Sequence, residues 1–238
     1  MSGDRLSQRG NSSQAERIEL LNRFMRHFGE DNIDYLTANR EFIGQDWLAF
    51  LCVHQIRFFI RARNNMRITF ANGEKVKASW LLMSQPLNQV YFHPKIVYLD
   101  KTLIYLSGLK YVGQDGKIDY LALLSFAPGH LSLELYKNRW QIETMFRAFK
   151  SAGFNLGDTH INDYQRLDTL VKVLAIAFAW SYNVGIYLHQ SVREIPIKKH
   201  GRRAVSFFTY GLDTLTEAFL NAIGPVIDKA ISLFLSCT

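Results

Sequence analysis

Cysteine is scarce in this 238-residue chain. Cys52 and Cys237 stand far apart with no metal-type spacing, which excludes a disulfide framework and a cysteine-built zinc site and fits a reducing compartment. The N-terminal stretch MSGDRLSQRGNSSQAERIE has no apolar core, so nothing in it reads as a secretion signal. The most apolar stretch, Leu170 to Leu188, is interrupted by Lys172, Ser181, Asn183 and Gly185, and a charge at membrane depth is costly. That stretch reads as a buried helix rather than a membrane span. Repeats and low-complexity segments are also absent.

What is present points to a globular domain with an anionic partner. The composition is 48% hydrophobic, enough for one sizeable core or two small ones. A formal charge of +7 and a pI near 9.4 favour nucleic acid first among partners.

Periodicity supplies the elements. Ser13 and Glu16 have capping-box spacing, and Ile18, Leu21, Phe24, Met25 and Phe28 follow at helical intervals. IDYLTA (33–38) reads as a buried strand stopped by Asn39, Arg40 and Glu41, and a second helix is expected over roughly 44–55. RFFIRAR (57–63) alternates cations with apolar residues, like a strand with one wet face. From Met66 to Ala127 the pattern is β: ITF, an Asn72-Gly73 turn, KVKASWLLM, IVYL, TLIYLSGLKYV, an Asp115-Gly116 turn and IDYLALLSF. Beyond Pro128 and Gly129 the chain turns helical. This order suggests an α/β core carrying an inserted β-rich segment.

The first of those later helices contains YKNRWQIETMFRAFK (136–150). At about 100° per residue, Tyr136, Arg139, Glu143, Arg147 and Lys150 share an arc about 80° wide. Leu135, Ile142, Met145, Phe146 and Phe149 form a separate stripe of the kind a helix buries. On spacing alone, Arg139 and Glu143 could be an ordinary i,i+4 pair on a solvated surface.

The spacing Tyr136, two residues, Arg139, three residues, Glu143, six residues, Lys150 resembles the tyrosine-arginine-glutamate-lysine signature of DDE transposases of the fourth insertion-sequence family. YLTANREFIGQDWLAFL (35–51) is similar to the second acidic segment of that family, and GNSSQAERIELLNRF (10–24) and FTYGLDTL (208–215) resemble its sequences too.

The resemblance implies a ribonuclease-H-like fold in which three carboxylates hold two Mg²⁺ ions that cut DNA and join it to a target. Two metals about 4 Å apart would clamp the attacking and leaving oxygens of an in-line displacement. Glu143 would be the third carboxylate and a metal ligand. Tyr136, Arg139, Arg147, Lys150 and Arg40 would hold transposon-end DNA, and Trp80 would stack on a base flipped from the DNA end, with core packing as the alternative. The implied organisation is a partial ribonuclease-H-like core over 1–65, an inserted β subdomain over 66–127, the rest of the core with the signature helix over 128–190, and a C-terminal helical segment over 191–238. The implied partners are DNA terminal repeats and a second copy or full-length transposase, with no membrane, in the bacterial cytoplasm at the nucleoid.

Two departures bear on activity. Asn39 stands where the resemblance puts the second catalytic aspartate, and an amide brings no negative charge to a metal, so the substitution is expected to be inactivating. The family's first aspartate lies on an opening strand ahead of the first helix seen here. Asp4 sits in a polar leader without strand pattern, so the expectation is an N-terminally truncated copy whose 33–38 strand has an open edge and whose solubility is poor. The alternative function is a non-catalytic DNA-binding or dimerising inhibitor of full-length transposase, and a third is a decayed product.

Other clusters stay open. Arg57, Arg61, Arg63 and Arg67 either line a DNA channel or form the wet face of a strand. Lys198, Lys199, His200, Arg202 and Arg203 either touch phosphate or form a plain loop. Trp47 and Trp140 read as core, and His54, His93, His130 and His160 have no ligand spacing.

Overall fold

The computed structural model describes residues 12–128, 132–151, 153–199, 201 and 203–235. These fall into two compact units divided between Trp140 and Gln141. Asp4, Gly129, His130, His200, Arg202 and Cys237 lie outside the described residues.

The first unit opens on helix α1, Gln14–Phe28, and its capping box forms as the sequence predicts. Glu16 N–H donates to Ser13 Oγ at 3.2 Å, and Ser13 N–H donates to Glu16 Oε2 at 2.6 Å. Ile18, Leu21 and Met25 pack inward, whereas Phe24 and Phe28 stay exposed against each other. Strand β1 is only Leu36–Ala38, shorter than the apolar run that predicted it. A 3-10 turn, Arg40–Phe42, leads to helix α2, Gln45–Val53, which buries Trp47, Leu48 and Leu51.

Strand β2, Phe58–Arg61, corrects the expectation of a wet face. Phe58, Phe59 and Ile60 are all buried because β2 is internal, with β1 parallel on one side and β8 (Ile118–Ser125) antiparallel on the other. Phe58 and Ile60 join the core with α1 and α2, while Phe59 joins a second cluster on the opposite face. The arginines sit at the strand's ends, where they need not enter the core.

Both predicted turns form: Gly73 (φ +85°) links β3, Arg67–Thr69, to β4, Lys75–Lys77, and Gly116 (φ +76°) links β7, Thr102–Val112, to β8. Only glycine adopts that backbone freely. WLLM does not extend β4; it forms the helical turn α3, Trp80–Met83, which drives Leu82 into the core. A short strand the sequence did not reveal, β5 (Tyr91–Phe92), pairs with β7, and β6 is Val97–Leu99. All eight strands form one mixed sheet of order β1-β2-β8-β7-β6-β3-β4, with β5 beside β7. The 66–127 segment thus continues the sheet that β1 and β2 begin, and among the described residues β1 has a strand neighbour only at β2. Helix α4, Ser132–Lys137, covers the second face, where Leu133 and Tyr136 pack on Phe59 and Leu123.

The second unit is helical, as expected. It holds α5 (Trp140–Lys150) from Gln141 onward, a 3-10 turn Leu156–Thr159, α6 (Tyr164–Ser191), α7 (Phe207–Leu220) and α8 (Gly224–Leu235). By length and composition α6 could cross a bilayer, but its C-terminal half packs on α7, burying Phe178, Ser181, Val184 and Gly185. Its N-terminal half is less buried than the sequence suggests, with Val173 and Ile176 exposed.

Candidate nucleic-acid interface

The single helix expected over 136–150 is two. α4 ends at Lys137 and α5 begins at Trp140, with Asn138 and Arg139 in a tight turn whose N–H groups donate to Leu135 O and Tyr136 O. Asn138 is a weak helix former, and its side-chain amide donates instead to the Tyr35 hydroxyl at 2.6 Å. The five residues therefore do not lie on one continuous helix. Tyr136 is a buried residue of α4, Arg139 stands in the turn, and Glu143, Arg147 and Lys150 ride on α5. The expected apolar stripe is also only partly buried: Phe149 is inside, but Ile142 and Phe146 are half exposed.

Packing on the sheet places Tyr136 beside the end of β1. The Tyr136 hydroxyl faces Asn39 Oδ1 at 3.5 Å, joining two motifs 97 residues apart. The Arg139 guanidinium lies 5.7 Å from the Tyr136 ring centroid and 5.6 Å from that of Trp140. Trp140 is 63% exposed, so its assignment to the core is corrected: it is the first residue of α5. Trp47 is core as predicted. Trp80, for which the sequence favours core packing over base stacking, is 55% exposed, so that core reading is corrected as well. In the second unit Glu143 is half-buried, and Arg147 and Lys150 are exposed.

A cavity of about 470 Å³ opens in the first unit next to Tyr136. Arg61, Lys137 and Arg139 give it positive charge, and Phe92, Leu109 and Leu121 give it an apolar wall. Lys137 was not foreseen as a site residue. Nor was the network behind Arg61: Asp119 accepts from the Tyr111 hydroxyl and the Asn64 amide, both at 2.7 Å, and pairs with Arg61 at 3.7 Å. Tyr111 and Asp119 face each other across the β7–β8 hairpin, so the Asp-Gly turn was the signal that could have found them.

Partial burial works to raise the Asp119 carboxyl, but donation from Tyr111, the Tyr120 N–H and Asn64, with the Arg61 charge, outweighs it and holds the group below the usual carboxylate range. A depressed folded value contributes stability that is present above the unfolded value of 3.8 and lost as pH falls through the folded one. Asp119→Asn is therefore expected to cost about 1 kcal/mol at neutral pH and to flatten the acid limb of stability. Urea midpoints for both chains between about pH 6 and about pH 2 check this. Parallel acid limbs in the two chains would refute it.

The remaining arginines divide. Arg57 pairs with Asp34 at 3.8 Å, whereas Arg63 and Arg67 make no ion pair among the described residues. In the loop after α6, Arg203 lies over the Phe207 ring, and Lys198 and Lys199 are exposed.

The metal pair implied by the resemblance does not fit the residues present. Among the described residues no three His, Cys, Asp or Glu side chains converge to hold a metal ion. Position 39 offers a neutral amide with Arg40 next to it.

A family model described as the transposase DDE domain matches residues 6–180. No curated protein matches the chain. The match spans most of the sequence, and it coincides with the segment that carries Asn39, Tyr136, Arg139, Glu143 and Lys150: the chain belongs to the transposase DDE domain family.

Proposed function

We propose that the chain is a transposase of the fourth insertion-sequence family that binds transposon-end DNA but is impaired in cleavage. The observation that carries this reading is the approach of Tyr136 to Asn39, because it brings the signature's tyrosine to the segment where the resemblance puts the second acid. On this reading Tyr136 and Arg139 hold end phosphates, the fork of Arg139 taking two oxygens at once. Arg40, Arg147 and Lys150 add backbone contacts, and exposed Trp80 is available to stack on a base. Glu143 remains the one acid of the signature. Its setting is the bacterial cytoplasm at the nucleoid.

Asn39 also favours a second reading, a binding protein that occupies transposon ends, alone or paired with full-length transposase, and so blocks it. Both readings expect preferential binding to terminal repeats over random duplex in a gel shift, with steep loss of affinity as salt rises. Arg139→Gln should weaken binding and lower the salt slope by about 1. Equal affinity for terminal repeats and random DNA would remove both readings. Adding the chain to a transposition assay of a full-length enzyme tests the second, since an unchanged yield at saturating end occupancy removes the blocking reading.

A further inference from the structure

The disagreement between the acid-poor site and the family's metal chemistry has a positive side. The parallel pairing of β1 with β2 sets Ala38 opposite Ile60, so the residues just beyond the two strands emerge at the same end of the sheet. There, Arg40, Glu41, Arg63, Asn64 and Asn65 line one surface depression, directly after Asn39.

Two acids lie nearby. Glu41 acts on the Arg17 guanidinium, raising its pKa against the lowering effect of burial, and Asp119 is held by Tyr111, Asn64 and Arg61. Arg40 and Arg63 are exposed and make no ion pair among the described residues. The depression therefore carries two guanidinium groups against the single Glu41 carboxylate, an excess of positive charge. The Tyr136 hydroxyl faces Asn39 Oδ1, and the other end of that amide, Nδ2, is a donor. An aspartate in the same place would present only acceptors and a negative charge.

We infer that Asn39, Arg40 and Arg63 form a site for a DNA backbone phosphate that works without a divalent ion, the Asn39 amide donating where a metal-binding acid would repel. This rests on the DNA-binding reading above and gives position 39 a role of its own. An acid needs a metal between itself and phosphate; an amide next to an arginine-lined depression does not. Asn39→Asp should then reverse the sign of the site, hurting DNA binding when metal is withheld.

The test is fluorescence anisotropy of a labelled transposon-end duplex with the full chain in EDTA. Arg40→Gln and Arg63→Gln are each expected to weaken binding several-fold and to lower the salt slope by about 1. Arg63→Lys should keep the slope, because the charge stays. Asn39→Asp should weaken binding about fivefold or more. Arg26→Gln, an exposed change on α1, should leave affinity alone. Wild-type affinity and slope in both glutamine variants, or unchanged or tighter binding by Asn39→Asp, overturns the inference while leaving the DNA-binding reading intact. A wild-type chain that binds no duplex removes both.

Discussion

Replacing Gly211 with valine is expected to unfold the helical unit or lower its midpoint by about 10 °C or more. α6 and α7 cross with their backbones nearly touching. A Cβ on Gly211 would lie 1.8 Å from Ser181 O, and a Cβ on Gly185 would lie 1.9 Å from Phe207 O. No rotamer relieves such a contact, since the clashing atoms are backbone, so the helices must separate. Separation uncovers Phe178 and Phe208, which stack at 4.9 Å in the same cluster. The loss is about 3 kcal/mol or more, at the upper end for overpacked cores. A glycine inside a helix costs about 1 kcal/mol relative to alanine, so two facing glycines make sense only where the approach requires them. Gly157 is the control: nothing lies within 4 Å of its added Cβ, and Gly157→Ala should change stability by less than about 0.5 kcal/mol. Thermal melts of the three chains by circular dichroism decide it. A Gly211→Val chain melting with the wild type would mean that α6 and α7 do not cross this closely.

Local signals carried much of the fold. The capping box, the two glycine turns and the long β7–β8 hairpin each follow from interactions within a few residues, and each appears where the sequence places it. The errors share a different cause. RFFIRAR alternates like a half-wet strand, yet two neighbouring strands and helices on both faces bury Phe58, Phe59 and Ile60 together. WLLM has strand-like composition, and the demand for Leu82 in the core makes it a helical turn instead. Burial on both sides of a strand is decided by partners remote in sequence, which periodicity does not report.

The candidate site shows the same division. The spacing of Tyr136, Arg139, Glu143 and Lys150 was legible, and so was the neutral residue at position 39. The helix break at Asn138 was not, because it depends on Tyr35, about a hundred residues earlier in the chain. Without that break Arg139 would share a helical face with Glu143; with it, the guanidinium sits between Tyr136 and Trp140. The Asp119 network was hidden for a similar reason: its members come from β7, β8, the end of β2 and the loop after it.

Given Mg²⁺ and transposon-end DNA, the chain is expected to cut no strand above background. In-line phosphoryl displacement between two metals needs anionic oxygen ligands, because several kcal/mol of transition-state charge stabilisation come from the ions those ligands hold. Asn39 contributes a neutral oxygen that already faces the Tyr136 hydroxyl, and Arg40 and Arg63 raise the local positive potential against a divalent cation. Loss of one principal acid alone costs on the order of 10³-fold in rate, about 4 kcal/mol. Asn39→Asp restores one carboxylate but places it directly before Arg40, next to the depression that Arg40 and Arg63 line, and among the described residues the native side chains form no three-ligand group for it to complete. The variant by itself is therefore expected to remain inactive. Labelled end duplexes run on a denaturing gel after incubation with Mg²⁺ or Mn²⁺ give the answer. Metal-dependent nicking at the transposon end by the unaltered chain would show that an amide at position 39 suffices, and the impaired-cleavage reading would fall.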